Sequence, residues 1–260
     1  MKRAAAALGF AFLIAVTVVP CLALADDFSD IAFDARPGAQ LPIAATFIDE
    51  SGETVQLGQY FTGKPVVLIL DYLRCKTLCG LTLAHVITAL GKAPLAAGRD
   101  YQFIALSIDP RDKSADAAAA KSKYLALYAR PDEAGVHFLT GDGTSARRVA
   151  EAVGFHYRYD AALDQYIHPA GFVIAAPDGR VARYVLAVAP TAAELQGDIG
   201  DVAAGREQGP LARLFLLCRA ESAPLGRYTA PVLIAFGLAN VAAGLGLIVL
   251  FGAIRRRMSG

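Results

Sequence analysis

The sequence predicts an α/β sandwich, and three observations carry that prediction. Two short apolar runs, residues 65–70 and 101–108, read as buried strands, and a helical stretch follows each. Residues 171–176 and 180–186, joined by Pro177-Asp178-Gly179, read as a closing hairpin. Strand and helix in alternation give a parallel sheet, to which the antiparallel hairpin is added. Two thiols, Cys75 and Cys79, sit where the first central strand hands over to a helix. With that pair in place, the order is that of a thioredoxin-like fold.

The elements follow in chain order. Residues 1–25 combine a basic start (Lys2, Arg3), an apolar stretch and Ala23-Leu24-Ala25, which makes a secretory signal cut before Asp26 and removes Cys21. Residues 26–40 are polar and irregular, a linker. Residues 41–47 and 53–57 are two short strands around the turn Asp49-Glu50-Ser51-Gly52. The first central strand leads to the cysteines and a helix over residues 81–90. Pro94 and Gly98 interrupt the chain before the second, which Asp109-Pro110-Arg111-Asp112 ends. An alanine-rich surface helix over residues 114–129 stops before Pro131. Residues 136–139 form a strand and 144–153 a helix closed by Gly154. Residues 155–166, aromatics among Asp and Ala, form a loop or ribbon; residues 191–204 are the last helix. The working domain is residues 41–205.

Hydrophobic residues make up 55% of the chain, high for a purely soluble protein, and a membrane segment accounts for the excess. Residues 230–254 carry no charge and are long enough to cross a hydrocarbon core of about 30 Å, with Arg255, Arg256 and Arg257 directly after. By the positive-inside rule residues 255–260 are a cytoplasmic tail and the domain is exported, which places the protein in the inner membrane facing the periplasm. Before the span, residues 206–229 are an amphipathic juxtamembrane segment in which Leu211, Leu214, Phe215 and Cys218 share a face. Cys218 there reads as a small buried hydrophobe. The terminal segments hold Lys2, Arg3 and the three tail arginines, whereas every Asp and Glu lies between them, so the exported part is mildly acidic. That balance argues against nucleic acid.

Cys75 and Cys79, four positions apart, would lie on one helical face with Cα atoms about 6 Å apart. A disulfide or a shared metal ion suits that spacing. The helix N-terminus, Arg74 and Lys76 favour the thiolate, the form that attacks disulfides and binds soft metals. An inert staple is a weaker reading, because this disulfide would close almost no loop. Among the histidines, His85 falls about 240° around the helix from Cys79 at roughly 100° per residue. His137 lies within a strand and His156 among aromatics. His168 differs: Pro169 holds it extended at the entry to the hairpin, where a thioredoxin-like sheet brings that loop beside the cysteine helix. A site role and a plain loop role both remain open for it on these grounds.

Cys75-Lys76-Thr77-Leu78-Cys79, then Ser107-Ile108-Asp109-Pro110 after the next strand, then His168 shortly before Phe172-Val173-Ile174 and Pro177-Asp178-Gly179, together resemble the Sco/SenC family of copper-binding proteins for cytochrome c oxidase assembly. The resemblance implies that Cys75, Cys79 and His168 are copper ligands, and that the partner is the copper-receiving subunit of cytochrome c oxidase. A thiol–disulfide oxidoreductase or a second copper carrier would be a further partner. Lys76 stands where many members have proline, and the anchor is C-terminal rather than N-terminal, which marks a divergent branch. Two thiolates and an imidazole suit Cu(I), with Cu(II) left open, whereas structural zinc would want a fourth protein ligand that the sequence does not reveal. The competing function is enzymatic: a thiol–disulfide reductase with Cys75 and Cys79 as its redox pair, keeping an oxidase subunit's cysteines reduced.

Overall fold

The computed structural model describes residues 30–74, 80–131, 133–206, 208–209, 234–235 and 237–242. The chain divides into two units, residues 30–224 and residues 1–29 with 225–260. The first unit contains β1 (Ala32–Phe33), β2 (Thr46–Ile48), β3 (Thr54–Gln56), β4 (Val66–Asp71), α1 (Gly80–Lys92), β5 (Gln102–Ser107), α2 (Ser114–Tyr128) and β6 (Val136–Leu139). It continues with α3 (Gly143–Val153), β7 (Phe155–His156), β8 (Arg158–Asp160), β9 (Gln165–Ile167), β10 (Phe172–Ala175), β11 (Val181–Val185) and α4 (Ala192–Ala203).

The central sheet has the order β11-β10-β4-β5-β6. Strands β4, β5 and β6 are parallel, and β10 is antiparallel to both its neighbours. Every residue of β4 and β5 is buried because both faces of the sheet are covered. Val67 and Ile69 pack with α1, α2 and α4 through Val86, Tyr124 and Leu195. Leu68 and Leu70 face the other way, onto Leu57, Val149 and Phe155. Helix ends are satisfied locally. Asp142 accepts from Ser145 N at 2.8 Å to start α3, and Thr191 and Glu194 exchange hydrogen bonds at the start of α4.

The structure differs from the sequence reading in two places and, over residues 155–166, decides between loop and ribbon in favour of the ribbon. Residues 31–40, expected within a linker, are bound to the domain: β1 pairs antiparallel with β7, and Phe33 sits edge-on to Phe155 and Tyr184 at 5.3 Å each. A short apolar run inside a polar stretch was enough to bury Ile31 at 3% exposure. Residues 41–45 are irregular, and the strand begins only at Thr46. Residues 155–166 contain β7 and β8 and reach into β9; β8 and β9 form a hairpin in which Tyr159 lies opposite Tyr166 with rings 5.2 Å apart.

Among the described residues no helix is long and apolar enough to cross a membrane. Of the expected span only residues 234–235 and 237–242 are described; they are helical, with Ile234 and Leu238 exposed. The signal segment, Cys218 and the arginine tail lie outside the described residues.

Glu50, in the turn between β2 and β3, gives a pH prediction. Burial opposes its ionisation, but His137, Lys121 at 2.6 Å and the Phe138 N–H at 3.0 Å lower its carboxyl from 4.5 to about 2. A carboxylate depressed in the folded state contributes stability above its unfolded value, and that contribution is lost as pH falls from 4.5 through about 2. The unfolding free energy measured across that window should fall for the native chain by on the order of 2 kcal/mol more than for Glu50→Gln. Parallel curves for the two would remove Glu50 from the acid response.

Candidate metal centre

The sheet topology brings three loops to one end. Because β10 runs against β4, with Leu68 opposite Val173 and Val66 opposite Ala175, the C-terminal end of β4 and the N-terminal end of β10 coincide. Asp71 lies opposite Ser107, so the parallel β5 delivers its following loop to the same place. The segment bearing the cysteines leaves from β4, His168 enters towards β10, and Asp109 to Asp112 follow β5.

Cys75 and Cys79 lie outside the described residues, between Arg74 and the start of α1 at Gly80. His168 is described. Its side chain is 10% exposed, edge-on to Tyr72 at 6.0 Å and beside Phe155 at 5.8 Å. Its Nδ1 is 3.1 Å from Pro169 O, whereas Nε2 is buried with no hydrogen-bond partner among the described residues. Asp71 Oδ1, 4% exposed, is 3.5 Å from that nitrogen. Burial pushes the Asp71 carboxyl up to about 6, partly offset by His168 and by the Tyr72 N–H.

A second network fixes the loops to each other. Asp112 is buried, accepting from Leu73 N at 2.8 Å and Ser107 Oγ at 2.6 Å through one oxygen, and from Arg74 Nε at 2.7 Å through the other. Asp109, also buried, holds Arg111 at 2.8 Å, and Arg111 reaches on to Asp164 at 2.7 Å in the β8–β9 hairpin. The Arg111 guanidinium lies 4.9 Å over the Tyr159 ring. One acidic loop therefore ties the approach to Cys75 to the ribbon that ends one residue before His168. Arg74 has its charge engaged by Asp112 and Asp109. It is thus a structural tie whose charge is offset by two carboxylates, where the sequence reading expected it to supply positive potential to Cys75.

The other histidines are held elsewhere. His85 is exposed, with Nδ1 3.3 Å from Val188 O. His137 meets Glu50 at 3.6 Å and Tyr60, and His156 is 3.3 Å from Asp34. Among the described residues no cluster of three or more His, Cys, Asp and Glu side chains assembles around one point. Two histidines have an Nε2 without a hydrogen-bond partner among the described residues and facing a carboxylate, His156 towards Asp34 and His168 towards Asp71. The second pair is the more deeply buried and stands at the cysteine segment, which starts four residues after Asp71. An imidazole nitrogen that is buried, unpartnered and faced by a carboxylate is suited to a cation. The sequence reading missed Asp71 and Asp112. The signal for Asp71 was available: a carboxylate ends the otherwise apolar Val66–Asp71 strand.

A five-stranded sheet of this order, with two cysteines in the sequence after its central strand and a buried histidine entering the next, defines the class as thioredoxin-like. Within that class the chain belongs to the SCO1/SenC family, whose profile it matches over residues 35–203. No curated protein sequence matches it significantly. Among solved structures it is similar to a proposed electron transfer protein of Aquifex aeolicus, with 22% identity over 66% of this chain and 96% of that one and a TM-score of 0.58. It is also similar to a SCO1/SenC family lipoprotein of Bacillus anthracis, with 20% identity over 65% and 98% and a TM-score of 0.54. Arabidopsis thaliana ScoI, solved with copper bound, matches with 19% identity over 64% and 96% and a TM-score of 0.50. At these identities the structural likeness speaks for the fold.

Proposed function

We propose that this protein is an exported, membrane-anchored copper chaperone that binds Cu(I) through Cys75, Cys79 and His168 and supports assembly of the copper site of cytochrome c oxidase. The observation that carries the reading is the buried, unpartnered Nε2 of His168 at the sheet end from which the cysteine segment departs. Family membership supports it. A thiol–disulfide reductase working through Cys75 and Cys79 needs no such imidazole, so the same observation ranks that function second. The thiols supply soft anionic ligands and the imidazole a neutral one, a set that favours Cu(I). Anchoring rests on residues 230–254 and the arginines after them, with the domain on the periplasmic side of the inner membrane and the receiving oxidase subunit as partner.

Copper titration of the reduced full chain in detergent tests the ligand set. Cys75→Ser and Cys79→Ser should each abolish both tight Cu(I) retention and disulfide exchange, while His168→Ala should weaken copper at least tenfold and leave exchange measurable. Full copper affinity in His168→Ala would remove the histidine from the set and, with it, the main argument against a reductase.

A further inference from the structure

The sequence supplies three candidate ligands for copper, and the structure contains a fourth donor that stands beside one of them. Pro169 O, a backbone acceptor 3.1 Å from His168 Nδ1, takes the Nδ1 proton in a hydrogen bond, so that in the neutral imidazole the lone pair is on Nε2. Asp71 Oδ1 faces that lone pair at 3.5 Å while accepting the Tyr72 N–H at 2.8 Å. Both side chains are at least nine-tenths buried. Two potential ligand atoms thus face each other out of water, an arrangement made favourable by a cation shared between them, whether a proton or a metal ion. Two ligand atoms bound to one ion at 2.0–2.1 Å in tetrahedral geometry are about 3.3 Å apart. The observed separation is close to that.

We propose that Asp71 is an oxygen donor of the copper site, and that its carboxylate gives the site its hold on the divalent ion, Cu(II). The inference rests on the reading of Cys75, Cys79 and His168 as ligands. Orientation separates it from the commoner arrangement in which a carboxylate supports a ligating histidine from behind. There the carboxylate takes the N–H of the nitrogen that does not bind the metal. Here that nitrogen is used by Pro169 O, and Asp71 is on the side of the free lone pair. A hard anionic oxygen adds little to a soft monovalent ion already held by two thiolates, and more to a divalent one. The Arg74 guanidinium, which could otherwise compete for Asp71, is bound by Asp112 and Asp109.

The test compares the full-length chain with Asp71→Asn, which removes the charge and keeps an oxygen for the Tyr72 N–H. Paramagnetic resonance of the Cu(II) form and competition titrations for Cu(II) and for Cu(I) are read side by side. Asp71→Asn should change the Cu(II) spectrum and weaken Cu(II) at least tenfold, with Cu(I) affinity altered less than threefold. Asp71→Ser, which also leaves an acceptor for Tyr72, should behave the same way, and covers the case in which the asparagine variant fails to fold. An unchanged spectrum and affinity would overturn the role of Asp71 and leave the copper reading intact. Equal losses for both oxidation states would also overturn it, since they would mean that Asp71 only positions His168. A native chain that holds no copper in either state would overturn the copper reading itself.

Discussion

Asp112→Ala is expected to lower stability by about 3–5 kcal/mol, the range for removing one partner of a buried charged network. The substitution removes an acceptor shared by three donors. Leu73 N–H and the Ser107 hydroxyl lose an acceptor inside the protein, while Arg74, 45% exposed, can turn to solvent and contributes least. For a domain of this size that stability loss corresponds to a melting temperature lower by roughly 10 °C or more. The loss should also reach the thiols, because Leu73 and Arg74 are the last described residues before Cys75. The rate at which the Cys75–Cys79 pair reacts with an alkylating reagent, compared with a variant of equal stability loss in α4, checks the second claim. Equal rates in the two would confine Asp112 to a general stabilising part.

Gly154→Ala is the second large effect, expected to cost about 3 kcal/mol or more. Gly154 has φ of 69°, and a Cβ there would meet Asp34 O at 1.9 Å. The left-handed conformation accounts for roughly 1–2 kcal/mol of the cost. The remainder comes from displacing the backbone of Asp34, whose N–H donates to Gly154 O at 2.7 Å. Displacing it parts β1 from β7 and draws Phe33 off Phe155, the ring beside His168. Thermal unfolding together with the chemical shift of the His168 imidazole would show both consequences; a native-like melting curve would refute the first.

Much of this architecture was legible because its signals are local. The apolar runs of β4 and β5, Gly154 after α3 and the Asp-Gly turn of the final hairpin each determine a few residues by sterics and burial alone. The candidate site was legible only in part. His168 stood out through Pro169, but the meaning of Asp71 and Asp112 depends on which strands become neighbours. Asp112 meets Leu73 across 39 positions and Asp71 meets His168 across nearly a hundred, and no periodicity encodes such pairs. The β1 strap was missed for the same reason: two residues are too few to show an alternation, and their partner strand is over a hundred positions away.

The two outer strands of the sheet bear on self-association. A free strand edge is a template onto which another chain can add. Here the exposed flank of β11 is taken at one end by Gly38 and Ala39, which pair with Val181, and at the other by the Gln208 amide, which bonds both N–H and C=O of Tyr184. On the opposite flank, β6 gives its Phe138 N–H to Glu50, and Ile48 pairs with Thr140 just beyond the strand. Side chains and irregular backbone thus occupy the groups through which copies of this domain would otherwise zip together. For the exported location proposed above, edges that do not recruit a neighbouring copy also keep the Cys75 and Cys79 thiols of separate copies apart.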